Sequence, residues 1–308
     1  MNHHADERTD PPDHPTDADA YARAAGLLGM KLNKRLTAGA FTGKLDGRKV
    51  EMHAGTLRAQ IRSIVGDDAL PTIEADDAAL AAALAVALDR PAPHDITRRV
   101  ENVVPLLRPA LATADAFTKA ARTAVRREAF DDAFYVLTLG ASEHAHFLRT
   151  EHLDHWGWTW EDAFAAALDR LDRRLGPDNV HEVEGDPHLL AVIHDAERTD
   201  AAHLLFHRLI EPWDHDRGAV FAVPTPRTCL VLPVREEAGA PGLARLVRTA
   251  YALTPTDASE LRRGLFWKRH DRTDSLSMTH IEESDGARVQ LEAVGPVAEL
   301  LRALGEIE

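Results

Sequence analysis

A single cysteine, Cys229, stands among 308 residues, which excludes an intramolecular disulfide. It lies in the apolar run Cys229-Leu230-Val231-Leu232, where a reduced, buried thiol is expected, and this fits the cytoplasm. No stretch approaches the ~20 apolar residues of a membrane span, and residues 1–20 lack the apolar centre of a signal peptide. The expectation is a soluble, cytoplasmic chain with no membrane partner. The longest apolar-looking run, Ala78 to Leu88, is mostly alanine bracketed by Asp76, Asp77, Asp89 and Arg90, and reads as a soluble helix. Positive charge is in the minority: 36 Lys and Arg against 50 Asp and Glu leave a formal charge of −14, which disfavours nucleic acid as a partner. Also missing are a Gly-x-Ser-x-Gly elbow, a His-Glu-x-x-His helix and the glycine-rich phosphate loops, so none of these motifs points to nucleophilic, metalloprotease or nucleotide chemistry.

What is present organises the chain into three parts. Residues 1–18 hold Pro11, Pro12, Pro15 and five acids, a composition that cannot offset its own ordering entropy, and are expected to be a disordered acidic tail. Residues 19–89 read as helix, hairpin and helices. A helix is expected over 19–36, strands over 41–45 and 48–52 around the turn-forming Asp46-Gly47, and helices over 56–65 and 76–89. Arg90-Pro91-Ala92-Pro93 reads as a linker. Residues 98–308 form the main portion. Helices are expected at 114–128, 160–174, 200–210, 241–252 and 296–305, and strands at 134–139, 189–193, 219–223, 229–234, 264–269, 276–282 and 287–293. Thr159 and Asp162 approximate a capping box for helix 160–174. Strands in adjacent pairs between helices imply an α+β fold with mixed or antiparallel sheets.

Several short motifs occur in a familiar order: Val103-Val104-Pro105-Leu106-Leu107-Arg108-Pro109, Gly157-Trp158-Thr159-Trp160-Glu161, Asp195 to Leu205, and Ala222-Val223-Pro224. In these the chain, from about residue 20 onward, resembles the YtpQ-like family of uncharacterised bacterial proteins. The resemblance implies a fold rather than an activity. The chain departs from the family pattern at Ala166-Ala167-Leu168-Asp169, where Ala-x-x-Asn is expected, at Ala202, where a small hydroxyl is expected, and at Thr228, where an acid is expected.

Candidate site residues follow from residue chemistry and from these motifs. Arg108, Asp195 and Asp200 lie in the family-like segments and could bind a ligand, although Asp200 also suits a helix cap and Asp195 a turn. Trp156, Trp158 and Trp160 alternate ahead of helix 160–174, with Trp156 the one expected to stay exposed as a binding surface. Among seventeen histidines, His144 and His146 would share one face of a strand, and with His152, His155 and nearby carboxylates they could hold zinc and activate a water. His203 and His207 have helical i, i+4 spacing but are expected on the wet face, opposite Leu205, Phe206 and Leu209. Charge is uneven: residues 1–20 carry net −5 and residues 21–50 net +6, a contrast that could mark an anion-binding or docking patch covered by the tail. The reading is a non-catalytic binding or interaction protein for an unknown protein or a small anionic ligand, with no cofactor; the alternative is the zinc-dependent hydrolase.

Overall fold

The computed structural model describes residues 18–35, 39–45, 48–88, 97–114, 117, 123–130, 133–141, 146–195, 197–235, 237–256, 260–270, 272–276, 278–283, 286–291 and 294–307. The expected tail, apart from Ala18, and the expected linker lie outside the described residues. The chain divides into two units, Met1–Thr97 and Arg98–Glu308, each with α+β architecture and antiparallel sheets packed against helices.

In the first unit, α1 (Ala18–Leu27) is followed by β1 (Lys31–Arg35), β2 (Ala40–Leu45) and β3 (Arg48–His53), then by α2 (Ala54–Val65), α3 (Leu70–Glu74) and α4 (Asp77–Ala87). The helix expected over 19–36 is therefore helix only as far as Leu27, and Lys31–Arg35 is strand. Gly29, at φ +81°, ends it: Met30 N–H bonds back to the Ala25 carbonyl and Gly29 N–H to that of Gly26, a closure that turns the chain into β1. Leu45 pairs with Arg48, the register of a two-residue hairpin turn. Alanine-rich α4 is buried from Ala79 through Ala85, because its small side chains let neighbours close in from every side. Asp76 caps it, accepting from the Ala78 and Ala79 N–H groups at 2.8 and 3.0 Å. Arg58 and Tyr21 both reach the Glu74 carboxylate, at 2.7 and 2.8 Å, and tie α2 and α1 to the end of α3.

The second unit opens with α5 (Val100–Val103), β4 (Leu107–Thr113), β5 (Arg126–Phe130), β6 (Ala133–Leu139) and β7 (His146–Phe147). In this sheet β4 pairs with one side of β6, and β5 and β7 with the other. The helix expected at 114–128 is replaced at its end by β5: Arg126–Phe130 has helix-forming residues, but pairing with apolar β6 decides its conformation. Then come α6 (Thr150–Trp156), α7 (Trp160–Arg174), β8 (Val180–Val183), β9 (Asp186–Ile193), α8 (Phe206–Leu209), β10 (Ala219–Thr225), β11 (Thr228–Pro233), α9 (Gly239–Leu253), α10 (Glu260–Arg263), β12 (Leu265–Arg269), β13 (Arg272–Leu276), the β14 (Met278–Glu283) and β15 (Gly286–Leu291) hairpin, and α11 (Gly295–Ala303). The Thr159–Asp162 box caps α7 reciprocally, at 3.2 and 2.9 Å.

Six antiparallel strands, in the order β13-β12-β10-β11-β9-β8, make the central sheet. Both faces are covered, which explains the unbroken apolar runs of β10 and β11. Val220, Ala222, Leu230, Leu232 and Trp267 face Leu243 and Leu246 of α9 and Leu300 of α11. Ala219, Phe221, Val223, Cys229 and Val231 face the other way, onto Leu171 of α7, the 201–210 segment, and Phe130 and Ala133. The polar strand β13, which has no apolar run to announce it, is set by its pairing with β12.

Gly218, just ahead of β10, sits at φ +66°, and a Cβ there would lie 1.9 Å from the Lys268 carbonyl oxygen. Only glycine meets both demands, so Gly218→Ala is expected to lower stability by more than about 1 kcal/mol, read as a reduced urea midpoint with unchanged slope.

Candidate functional site

After β9 the chain runs inward instead of across the surface. Glu197, Arg198, Thr199, Asp200, Ala201, Ala202 and His203 are all buried. A carboxylate without solvent must be paired, and Glu197 is met by Arg108 of β4, by Arg170 of α7 at 2.6 Å and by Arg174 at 3.2 Å. Burial pulls the Arg108 guanidinium down to about 9, with Glu197 acting to raise it, so it stays charged at neutral pH. Its Nη1 also donates to the Pro105 and Leu107 carbonyls, both at 3.1 Å. Asp200 is held by Arg198 at 2.7 Å and by Arg262 of α10 at 3.1 Å. Burial alone would raise its pKa, but the two guanidiniums outweigh that and hold the carboxyl below the usual carboxylate value.

These ion pairs deliver His203 to a fixed place. The segment is not one α-helix: Ala202–Leu205 is a 3-10 turn that leads into α8. A 3-10 turn aligns residues three apart, so His203 falls on the buried side with Phe206 instead of on the wet side expected from α-helical spacing. Its ring stacks against Phe221 (centroids 5.0 Å apart, planes at 7°) and Tyr135 (5.8 Å, 12°). Nδ1 lies 3.3 Å from the Asp200 carbonyl, which only accepts, so Nδ1 carries the proton and Nε2 accepts from the Tyr135 hydroxyl at 2.9 Å. Burial first, and Lys268 second, push the imidazole down to about 3, whereas burial lifts the Tyr135 phenol to about 12. A neutral acceptor therefore faces a phenol that keeps its proton.

His203 and Leu204 form one wall of a cleft of about 200 Å³ whose other lining residues are His207, Trp213, His215, Lys268 and His270. His207 is exposed one turn beyond His203. Trp213 packs on Phe206 at 6.0 Å and donates its indole N–H to His215 Nδ1 at 3.2 Å, so the neutral His215 ring carries its proton on Nε2. His270 takes φ +40°, unusual for a residue with a side chain; its N–H bonds the His215 carbonyl at 3.2 Å and its ring lies 5.7 Å from that of His215. The lining contains donors and aromatic faces but no carboxylate, hydroxyl or thiol.

The residues picked out from sequence fall in different places. Arg108 and Asp200 belong to the same buried belt, each fully enclosed, and Asp200 pairs with arginines instead of capping a helix. Asp195 is exposed outside it. Trp156 is half-buried, edge-on to Trp158 at 6.0 Å and 5.8 Å from His152. Trp158 is likewise only half-buried, and Trp160 stacks on Phe164 at 5.2 Å. His144 lies outside the described residues; His146 is half-buried on β7, His152 accepts the Arg149 N–H at 3.1 Å through Nδ1, and His155 is exposed. Among the described residues, no group of three or more His, Cys, Asp or Glu side chains is placed to share a metal ion. Sequence reading missed Glu197 and the Trp213, His215, Lys268 and His270 wall. The only local sign was the densely charged Glu197-Arg198-Thr199-Asp200 ahead of two alanines; the wall residues come from the loop after α8 and from the end of β12, with no motif spacing.

No protein-family model, no curated protein and no solved structure matches this chain.

Replacing Glu197 by glutamine leaves three arginines facing a neutral amide and is expected to cost about 3–5 kcal/mol in urea denaturation. A second expectation concerns pH. Folding lowers the His203 pKa from 6.5 to about 3, so the unfolded chain binds the extra proton between those values. Stability from this group is complete above pH 6.5 and declines as pH falls, by up to about 1.4 kcal/mol per pH unit. The difference in unfolding free energy between the parent and His203→Gln should shrink from pH 7 to pH 4. A constant difference would show that His203 does not titrate with folding.

Proposed function

We propose that this chain is a non-catalytic binding protein of the YtpQ-like kind, working in the cytoplasm, and that its ligand is a small organic anion carrying a flat ring. The carrying observation is the lining of the histidine cleft. Lys268 and the exposed imidazoles of His207, His215 and His270 offer N–H donors, Trp213 offers an aromatic face, and no carboxylate among the lining residues opposes negative charge. The volume suits a single ring with its acid group. Binding without turnover is supported by the chemistry of the same wall: it carries no hydroxyl, thiol or carboxylate, and His215 is oriented by an indole instead of by the acid that would make it a general base. The ligand is held without zinc or another cofactor.

Calorimetric titration with benzoate and phenyl phosphate, against benzylamine as a cationic control, tests the reading. The two anions should bind and the amine should not, and Lys268→Met should weaken the anions about tenfold, the scale of one charge-assisted hydrogen bond. Untagged protein from the same preparation should contain well under one equivalent of zinc. Equal binding of amine and acid, or no effect of Lys268→Met, would defeat the proposal.

A further inference from the structure

The small sheet of the first unit carries a feature that its own folding does not use. Lys31 pairs with Lys44, and Lys44 with Lys49, so one lysine from each of the three strands lines up in a single row across the sheet. Directly paired residues on antiparallel strands point to the same face, and all three are exposed. Neighbouring side chains in such a row start about 5 Å apart, so the three lysines leave the sheet within a span of roughly 10 Å. Arg48 is exposed next to Lys49 in sequence. The one carboxylate on β3 at the same face, Glu51, lies two residues from Lys49 and 3.5 Å from the His53 imidazole. No ion pair joins any of the three lysines to a carboxylate among the described residues.

Like charges directly opposite one another on a sheet destabilise it. The row therefore works against the sheet that bears it, and the folding of the unit gives no reason for three lysines to share it. We propose that the Lys31–Lys44–Lys49 row is a docking site for a carboxylate-rich segment of a partner protein, a run of three or more Asp or Glu residues laid across the strands.

Charge complementarity selects an anionic occupant, and two observations favour a short acidic segment over other polyanions. Screening at physiological salt confines the attraction to about 8 Å, so a short segment meets the lysines alone, whereas a nucleic acid or membrane surface extends over the rest of a unit whose 11 Lys and Arg are outnumbered by 15 Asp and Glu. Single-stranded nucleic acid also draws on aromatic stacking, and the residues that share the lysine face on β2 and β3 are Ala40, Thr42, Glu51 and His53, with no Phe, Tyr or Trp. The site is in the first unit, and it stands or falls independently of the cleft in the second.

The test uses the full-length chain and fluorescence anisotropy with a labelled hexaglutamate peptide, beside a labelled single-stranded hexanucleotide and vesicles of phosphatidylglycerol and phosphatidylcholine. Hexaglutamate should bind, should weaken steeply with added salt, and should lose about tenfold in affinity when Lys31→Gln, Lys44→Gln and Lys49→Gln are combined, the scale of three exposed ion pairs. Replacing the same three lysines by arginine should retain binding. The glutamine variant should also melt at or above the parent temperature, because the repulsion has been removed. A merely structural role predicts the opposite, a lower melting temperature with peptide binding unchanged, and that result would overturn the proposal. So would tighter binding of the oligonucleotide or the vesicles than of the peptide.

Discussion

Burial of the Glu197 carboxylate is the constraint around which the second unit is arranged. A charge removed from water must be met by counter-charges of correct geometry, and here they come from β4 and from two successive turns of α7. Satisfying one carboxylate therefore brings together a strand, a helix and the connection after β9, which are distant in sequence. Asp200 repeats the device with Arg198 and with Arg262 of α10. Ion pairs of this kind contribute little net stability compared with apolar residues of the same volume, because desolvation offsets most of the attraction. Their contribution is direction: an arginine fork accepts few approach angles, whereas leucine against leucine accepts many.

The cleft inherits that direction. Residues 197–200 include two acids held by arginines, and the tight turn that follows carries His203 inward to meet Tyr135 and Phe221. An imidazole in that stack serves as a neutral plate with one donor and one acceptor, both used internally. The groups left to meet a ligand are those around it, on the loop after α8 and at the end of β12, and Gly218 lets the β10 and β12 backbones approach closely enough to bring those two segments together.

Much of the architecture was legible in sequence because it rests on short-range rules. Alternation and turn chemistry located the β2–β3 hairpin and the β10–β11 pair, and the Thr159–Asp162 spacing located the start of α7. The failures came where distant pairing outweighs local preference. Residues 31–35 and 126–130 are rich in helix formers yet pair as strands, and the α-helical period gave the wrong face for His203 because the backbone there is a 3-10 turn. Arg108 and Asp200 were singled out, but their common dependence on a buried acid belt was not, since Glu197 reads in isolation as one more charge in a loop. The cleft wall was beyond reach for the same reason: Trp213, Lys268 and His270 are united only by the fold.

Cys229 has a consequence of a kinetic kind. Its side chain is enclosed near the start of β11, between β9 and β10, and burial together with the nearby Asp200 charge raises the thiol pKa well above its ordinary value. Only the thiolate reacts with alkylating or disulfide reagents, so the folded state is inert, and reaction has to wait for the central sheet to part. Because it is the sole cysteine, the rate of labelling under native conditions measures how often that part of the sheet opens.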